Sequence, residues 1–149
     1  MTNTKIALLA IPLLAVLMIG AAMTPAYSAP TVIKIDIKPA SDPNSINIRS
    51  MGLVPVAILG SANFDVADVD VTSLVFGPNG ATPAHDLSDL DTYNEHIEDV
   101  NQDGFDDLVS HYKQKETGIA CGDIFATLFA ETISGTTIAG ADSVNPKGC

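Results

Sequence analysis

The sequence predicts an all-β protein: an antiparallel β-sandwich of about seven strands on an immunoglobulin-like plan. Three observations predict it. After residue 30, apolar residues recur at every second position in most segments, which is the period of a strand with one buried face. Residues that favour turns separate these segments. Apolar residues at helical spacing occur only weakly, between Leu87 and Ile97, so we expect one helical turn there and no long helix.

The predicted strands are short and follow one another along the chain. Ile35 and Ile37 alternate with charged residues. The segment 53–59 is continuously apolar, which indicates a central strand covered on both faces. Pro55 lies within it and must occupy a bulge or an unpaired position, and Ser134 with Gly135 predicts a hairpin turn. The predicted strands are 31–38, 45–49, 53–59, 71–76, 108–113, 124–132 and 136–139, with a short piece near Val144.

The first 28 residues are predicted to be a secretory signal peptide. Lys5 is the first charged residue, and the apolar run 6–23 follows it. Cleavage after Ser28 leaves small residues at the −3 and −1 positions and keeps Pro30 out of the +1 position. The alternative is an uncleaved membrane anchor, since the run is close to the roughly 20 residues that span a bilayer. We expect 29–149 to be a single secreted or cell-surface domain without a membrane span.

Charge restricts the partners of the predicted mature chain. Removing the signal peptide takes away one lysine and no acid, which leaves six basic and eighteen acidic side chains. Twelve of the acids lie between Arg49 and Lys113, a stretch without lysine or arginine. Such a field repels nucleic acid and anionic membranes and attracts cations. We therefore expect a cation as ligand and no nucleic acid, with another extracellular or surface protein as the candidate macromolecular partner.

Two cysteines, Cys121 and Cys149, remain outside the predicted signal peptide. In an oxidising compartment an isolated pair can form a disulfide. We predict this bridge, which would tie residue 149 to the loop around Cys121. The alternative is two independent thiols, because the pairing depends on geometry that a sequence does not contain.

The most specific chemical pattern is a calcium-type loop with the spacing D-x-N-x-D-G-x-x-D, starting at Asp99. A hard dication such as calcium takes six to eight oxygen ligands, so the chain must curl around one point. Gly104 permits the sharp reversal in the middle of the loop. The alternative is a turn rich in Asp and Asn that holds no ion. The predicted calcium ligands are the side chains of Asp99, Asn101, Asp103 and Asp107 and the backbone carbonyl of Phe105.

The residue at the twelfth position of this loop indicates its subtype. Helix-loop-helix calcium sites carry a bidentate Glu there, whereas this chain has Ser110. The flanking residues alternate as in strands. The loop therefore resembles the calcium loops of integrin-type FG-GAP repeats, which share this pattern and run directly into a β-strand. Those repeats build propellers from many copies, so with one copy here the resemblance covers the loop and not the fold.

A wider resemblance covers most of the predicted mature chain. The segments 35–47, 55–60, 98–109 and 116–123 read IDIKPASDPNSIN, PVAILG, EDVNQDGFDDLV and ETGIACGD. They are similar to an uncharacterised β domain of exported bacterial and archaeal proteins. The resemblance implies an extracellular β module with no assigned activity.

The sequence offers no catalytic constellation, so we expect no enzymatic activity. It lacks a nucleophile elbow of the G-x-S-x-G type. The histidines His85, His96 and His111 are spaced by 11 and 15 residues, which matches no compact metal motif, so we interpret them as surface or loop residues. Six further acids between Asp65 and Asp91 lack a turn glycine around 86–91, and a second ion is not predicted.

The preferred functional hypothesis is an exported calcium-binding β module with a structural or cell-surface interaction role, in which calcium stabilises the acidic segment. One alternative is a calcium-dependent module that binds a glycan or polyanion, which the absence of tryptophan disfavours. The other is an extracellular hydrolase that uses the acidic stretch 86–107, which would need carboxylates of raised pKa in a cleft.

Overall fold

The structure, a computed structural model, describes residues 28–149. The predicted signal peptide lies outside the described residues, apart from Ser28. Helical segments in the described part are a 3-10 turn at Val66–Asp68, α1 (Leu90–Glu95) and α2 (Gln114–Thr117). The strands are β1 (Thr31–Val32), β2 (Ile35–Ile37), β3 (Ser45–Asn47), β4 (Leu53–Ile58), β5 (Val69–Phe76), β6 (Ile97–Glu98), β7 (Asp107–Lys113), β8 (Phe125–Thr132), β9 (Thr137–Ser143) and β10 (Asn145–Lys147).

Two four-stranded sheets form the sandwich. Sheet 1 has the strand order β1-β9-β8-β5 and sheet 2 the order β2-β4-β7-β6, while β3 and β10 pair on their own. Alternate residues of both sheets point into one shared core, where the rings of Phe76 from sheet 1 and Tyr112 from sheet 2 lie 5.0 Å apart. The predicted all-β sandwich is confirmed. The finer likeness to an immunoglobulin plan stays a prediction.

The described residues contain ten strands where the sequence predicts about seven, and the first predicted strand explains part of the difference. Its residues form two strands in different sheets: β1 runs parallel to β9, and β2 runs antiparallel to β4. The chain crosses between the sheets at Ile33, whose N–H bonds to Ala139 O at 2.9 Å. Because the apolar alternation continues across this point, periodicity alone does not reveal the crossing. β6 has no predicted counterpart, and β10 follows directly after the short piece predicted near Val144.

Two local predictions are confirmed and one is wrong. Pro55 does not occupy a bulge or an unpaired position, since it faces His111 in regular register with β7. It is tolerated because the pairing of β2 with β4 ends at Ile37 and Val56, next to the proline. The turn at Gly135 joins β8 to β9. One helical turn, α1, occupies the segment where helical spacing is weak.

The predicted disulfide is also confirmed. Cys121 and Cys149 are bonded with their Cα atoms 5.9 Å apart. The bridge fixes the chain after β10 to the loop before β8. Among the described residues, no helix combines the length and apolar composition needed to cross a bilayer.

The β6–β7 hairpin positions the candidate sites. Its strands pair Ile97 with Leu108 and Glu98 with Asp107. β7 lies inside sheet 2, between β4 and β6, so the hairpin has one fixed strand along which side chains are held in register. Residues 99–107, which connect the two strands and include the first residue of β7, are called the acidic loop below.

Candidate metal sites

The acidic loop curls around the side chains of its first and third positions. The Asp99 carboxylate accepts the N–H of Asp103 at 3.1 Å and the N–H of Gly104 at 3.0 Å. The Asn101 side-chain oxygen accepts the same Asp103 N–H at 3.0 Å. These bonds between oxygens and backbone amides place the polar side chains on the inside of the turn, as a loop built to surround a cation requires.

Asp103, the fifth position, completes this inner group. Its carboxylate accepts the Phe105 N–H at 3.0 Å and the Asn101 side-chain amide at 3.0 Å. The chain reverses at Gln102 and Gly104, with φ angles of 60° and 89°. Positive φ disfavours residues with a Cβ, so Gly104 serves the loop through its backbone conformation. Asp99, Asn101 and Asp103 therefore lie together in one turn.

Asp107, the ninth position, has a different environment. It is fully buried, and its two oxygens accept the Gly60 N–H at 2.8 Å and the Val100 N–H at 2.9 Å. A Cβ at Gly60 would collide with the carbonyl of Asp106, which shows how closely the loop backbone packs on the end of β4. Asp107 therefore anchors the loop to sheet 2. Each of its oxygens keeps a second lone pair for a cation.

No lysine or arginine within residues 28–149 forms an ion pair with the loop carboxylates. In the described part of the chain, the single ion pair joins Lys113 to Glu116, at 3.2 Å on the surface. The pKa of Asp36 is raised by burial and then by nearby carboxylates, Asp107 among them. Burial also raises the pKa of Tyr93, with carboxylates including Asp106 adding to it. The loop carboxylates thus have no basic side chain as partner within residues 28–149.

The loop carboxylates are held at separate points. Within residues 28–149, three or more His, Cys, Asp or Glu side chains bring their ligand atoms within 4.8 Å of one another at one place, and that place is not the acidic loop. Asp99 and Asp103 lie in the same turn. Asp107, at the other end of the loop, is connected to this turn by the hydrogen bond that it accepts from the Val100 N–H. Convergence of all predicted ligands on one ion would need a local adjustment of the loop. Calcium binding stays a prediction.

The compact group consists of His85, His96 and His111, which the sequence leads us to interpret as separate surface or loop residues. That interpretation is wrong. Their ring centroids are 5.0 Å apart for His85 and His96, 5.5 Å for His85 and His111, and 5.2 Å for His96 and His111. Nδ1 of His85 lies 3.0 Å from Nε2 of His96. We call these three residues the histidine cluster.

Backbone hydrogen bonds to β7 hold the cluster in place. His111 belongs to β7, and its carbonyl accepts the Ala84 N–H at 2.7 Å, which fixes the segment carrying His85. His96 directly precedes β6, and its carbonyl accepts the Val109 N–H at 2.9 Å. All three histidines are therefore positioned from one buried strand of sheet 2.

The protonation of His96 follows from its partner. Its Nδ1 lies 2.8 Å from the carbonyl oxygen of Val109. Because a carbonyl oxygen only accepts, Nδ1 carries the proton and, in the neutral ring, Nε2 presents a lone pair. Burial lowers the pKa of His111, and the neighbouring His96 and His85 lower it further, whereas Glu98 raises it. Neutral imidazoles with free lone pairs are the form that binds metals.

The register of the hairpin is the signal that would have revealed the cluster. Since Ile97 pairs with Leu108, the same register places His96 opposite Val109. His111 lies two residues further along β7, on the same face of the strand as Val109. The spacing of the histidines along the chain does not reveal that His96 and His111 are close in space. His85 comes from another segment and is joined to β7 by the Ala84 bond, for which the sequence gives no signal.

Comparison of the chain with known protein families, with curated proteins and with solved structures finds no match. The resemblances to FG-GAP calcium loops and to an exported β domain therefore stay predictions.

Proposed function

We propose that this chain is an exported calcium-binding β-sandwich module with a structural or cell-surface interaction role, in which calcium stabilises the acidic loop. The observation that carries the proposal is the curl of the loop around Asp99, Asn101 and Asp103, with no basic side chain paired to the carboxylates within residues 28–149. Carboxylate, amide and carbonyl oxygens are the ligands that calcium prefers.

Export is supported by two features. The apolar run 6–23 has the composition of a signal peptide. The disulfide between Cys121 and Cys149 is of a kind that persists in oxidising compartments. Outside the cell, free calcium is high enough for a loop of modest affinity, about 10⁻⁴ M, to be occupied.

Thermal unfolding of the full chain in calcium and in chelator, with magnesium as a control, tests the proposal. At a free calcium concentration a hundredfold above the Kd, binding to the folded state adds about 2.7 kcal/mol of stability. For a folded region of this size that corresponds to a rise of about 10 °C in Tm. No calcium-specific rise would contradict the proposal.

Two charge-matched variants locate the effect. Asp103→Asn keeps an acceptor for the Phe105 N–H but removes a charged ligand, so we expect it to lose most of the calcium-dependent rise. Asp106→Asn removes the same charge from the same loop at an exposed position outside the predicted ligand set, and should keep the rise. If calcium raised the Tm of both variants equally, its effect would depend only on the net charge of the loop and not on Asp103 as a ligand.

A second candidate function has one observation in its favour. A surface cleft of about 520 Å³ has Asn101 and Asp103 on its wall, together with Phe64. A glycan or polyanion in this cleft could be bridged by the calcium ion. In that case ligand binding would disappear in chelator under conditions where circular dichroism reports an intact fold.

A further inference from the structure

We propose that His85, His96 and His111 form a second metal site, separate from the acidic loop, that binds a divalent transition metal of the zinc class through three imidazole nitrogens. Imidazole suits zinc, copper and nickel, whereas calcium and magnesium take oxygen ligands. The proposal does not depend on calcium binding at the loop, since the two sites share no ligand.

The distances fit a zinc ion with little rearrangement. Zn–N bonds of 2.0–2.1 Å in a tetrahedral site place neighbouring nitrogens about 3.3 Å apart. The nitrogens of His85 and His96 that face each other are 3.0 Å apart, and one nitrogen of each ring in the cluster lies within 4.8 Å of the others. Shifts of a few tenths of an ångström at the first pair and somewhat more at His111 would accommodate the ion.

The surroundings of His96 are those of a metal ligand. Metal-bound histidines commonly donate their other ring N–H to a backbone carbonyl or carboxylate, which fixes the ring and its tautomer. His96 does this with Val109 O at 2.8 Å, and only 8% of the residue is exposed. Its Nε2 lone pair is consequently directed towards His85. This ring is oriented in advance of any ion.

One buried ring nitrogen of the cluster lacks a hydrogen-bond partner. Nδ1 of His111 is buried and has no hydrogen-bond partner in the described structure, although buried polar atoms are nearly always satisfied. A small rotation of the His111 ring would bring this nitrogen or its ring partner onto a metal ion within the cluster.

One side of the site is open. His85 is exposed and lines a shallow surface groove with Asp86 and Ser88, whereas His96 is buried and His111 is half-buried. A metal ion can therefore enter past His85. Three nitrogen ligands with an exposed side leave a fourth coordination position for water or for a donor atom from a partner.

The competing account is a metal-free cluster. A neutral His85 could donate its Nδ1 proton to Nε2 of His96, and the three rings would then serve only as packing. The two accounts differ in one measurable property, since only a metal site gives saturable binding of one zinc ion per chain that depends on all three histidines.

The test is calorimetric titration of the full chain with zinc chloride, in calcium sufficient to occupy the acidic loop. We expect one zinc ion per chain. Loss of an outer partner of a metal ligand already weakens metal binding 10- to 100-fold, so His85→Ala and His111→Gln should each weaken zinc binding by at least about tenfold. Asp86→Asn, which changes the carboxylate next to His85, and Asp103→Asn, in the acidic loop, should bind zinc as the unmodified chain does.

Cobalt provides an independent readout. Co²⁺ in the same site should show the visible d–d absorption of a four-coordinate ion with nitrogen ligands, and His85→Ala should abolish it. Because His85 is exposed, that variant should fold normally, which circular dichroism checks. The proposal is overturned if the unmodified chain binds no zinc, or if zinc binding and the cobalt spectrum survive in His85→Ala.

Discussion

The acidic loop and the histidine cluster lie at the two ends of one hairpin, and their donor atoms are gathered in different ways. In the loop, Asp99, Asn101 and Asp103 lie within five residues and are joined by hydrogen bonds to the backbone of the same turn. In the cluster, His85 and His111 are 26 residues apart in sequence and meet because the Ala84 N–H, next to His85, bonds to the carbonyl of His111 in β7.

In this chain the oxygen donors come from one contiguous loop, and the nitrogen donors come from segments that are distant in sequence. The contiguous loop offers oxygens, which suit a hard cation, and the bonds that gather Asp99, Asn101 and Asp103 lie within the loop itself. The cluster offers nitrogens, which suit a softer cation, and its geometry depends on the register of sheet 2. A change in the sheet should therefore affect the histidine site far more than the loop, with Asp107 as the exception that connects them.

The largest expected effect is at Asp107, where the loop is attached to the sheet. Asp107→Ala leaves the N–H groups of Gly60 and Val100 without their acceptors. An unsatisfied buried donor such as that of Gly60 costs about 1–3 kcal/mol, and the part-buried donor of Val100 costs less. We expect the free energy of unfolding to fall by about 2–4 kcal/mol in chelator, as measured by urea denaturation. Calcium is absent in that experiment, so the loss would report the anchoring role alone.

Asp106→Ala is the control for this experiment. The side chain is the exposed neighbour of Asp107, and its carboxylate makes no hydrogen bond in the described structure. A surface change of this kind alters stability by less than about 0.5 kcal/mol. If Asp107→Ala proved as mild as Asp106→Ala, Asp107 would belong with the other loop acids, and the distinction between anchor and ligand would fail.

A smaller expected effect is the difference in stability between variants of His96 and of His85 in the absence of metal. His96→Ala removes the buried bond from Nδ1 to Val109 O and creates a small cavity, so we expect a loss of about 1–3 kcal/mol in urea denaturation. His85→Ala changes an exposed ring and should cost less than about 0.5 kcal/mol. Equal losses would mean that the interaction between the rings, and not the bond to Val109, is what holds His96.

The parts of the fold that sequence predicts are those encoded locally. The alternation of Ile35 and Ile37, the apolar run that forms β4, and the turn at Gly135 each contain the information for their own element. The split of the first predicted strand is different, since its two halves have one periodicity and different partner strands. Strand pairing is a long-range property, and the sequence pattern is the same on both sides of the crossing.

The two candidate sites differ in the same way, since one is encoded locally and the other depends on long-range pairing. The spacing of Asp99, Asn101 and Asp103 predicts a curled loop because all the atoms involved belong to one turn. The separate role of Asp107 depends on Gly60, which lies 47 residues away in sequence. The histidine cluster needs both the hairpin register and the Ala84 bond to β7, and neither follows from the identity or spacing of the histidines.

The smallest expected effect is the coupling between the two ends of the hairpin. His96 precedes Asp99 by three residues, which spans about 10 Å in an extended strand. Two dications at that distance repel in water, and salt screening at physiological ionic strength reduces the repulsion to about 0.5 kcal/mol. We expect saturating calcium to weaken zinc binding by about twofold at physiological salt, and by less at 1 M salt, in paired calorimetric titrations. A much larger change, or tighter zinc binding with calcium present, would mean that the ions share a ligand or a mobile segment, and that the hairpin carries one composite site instead of two.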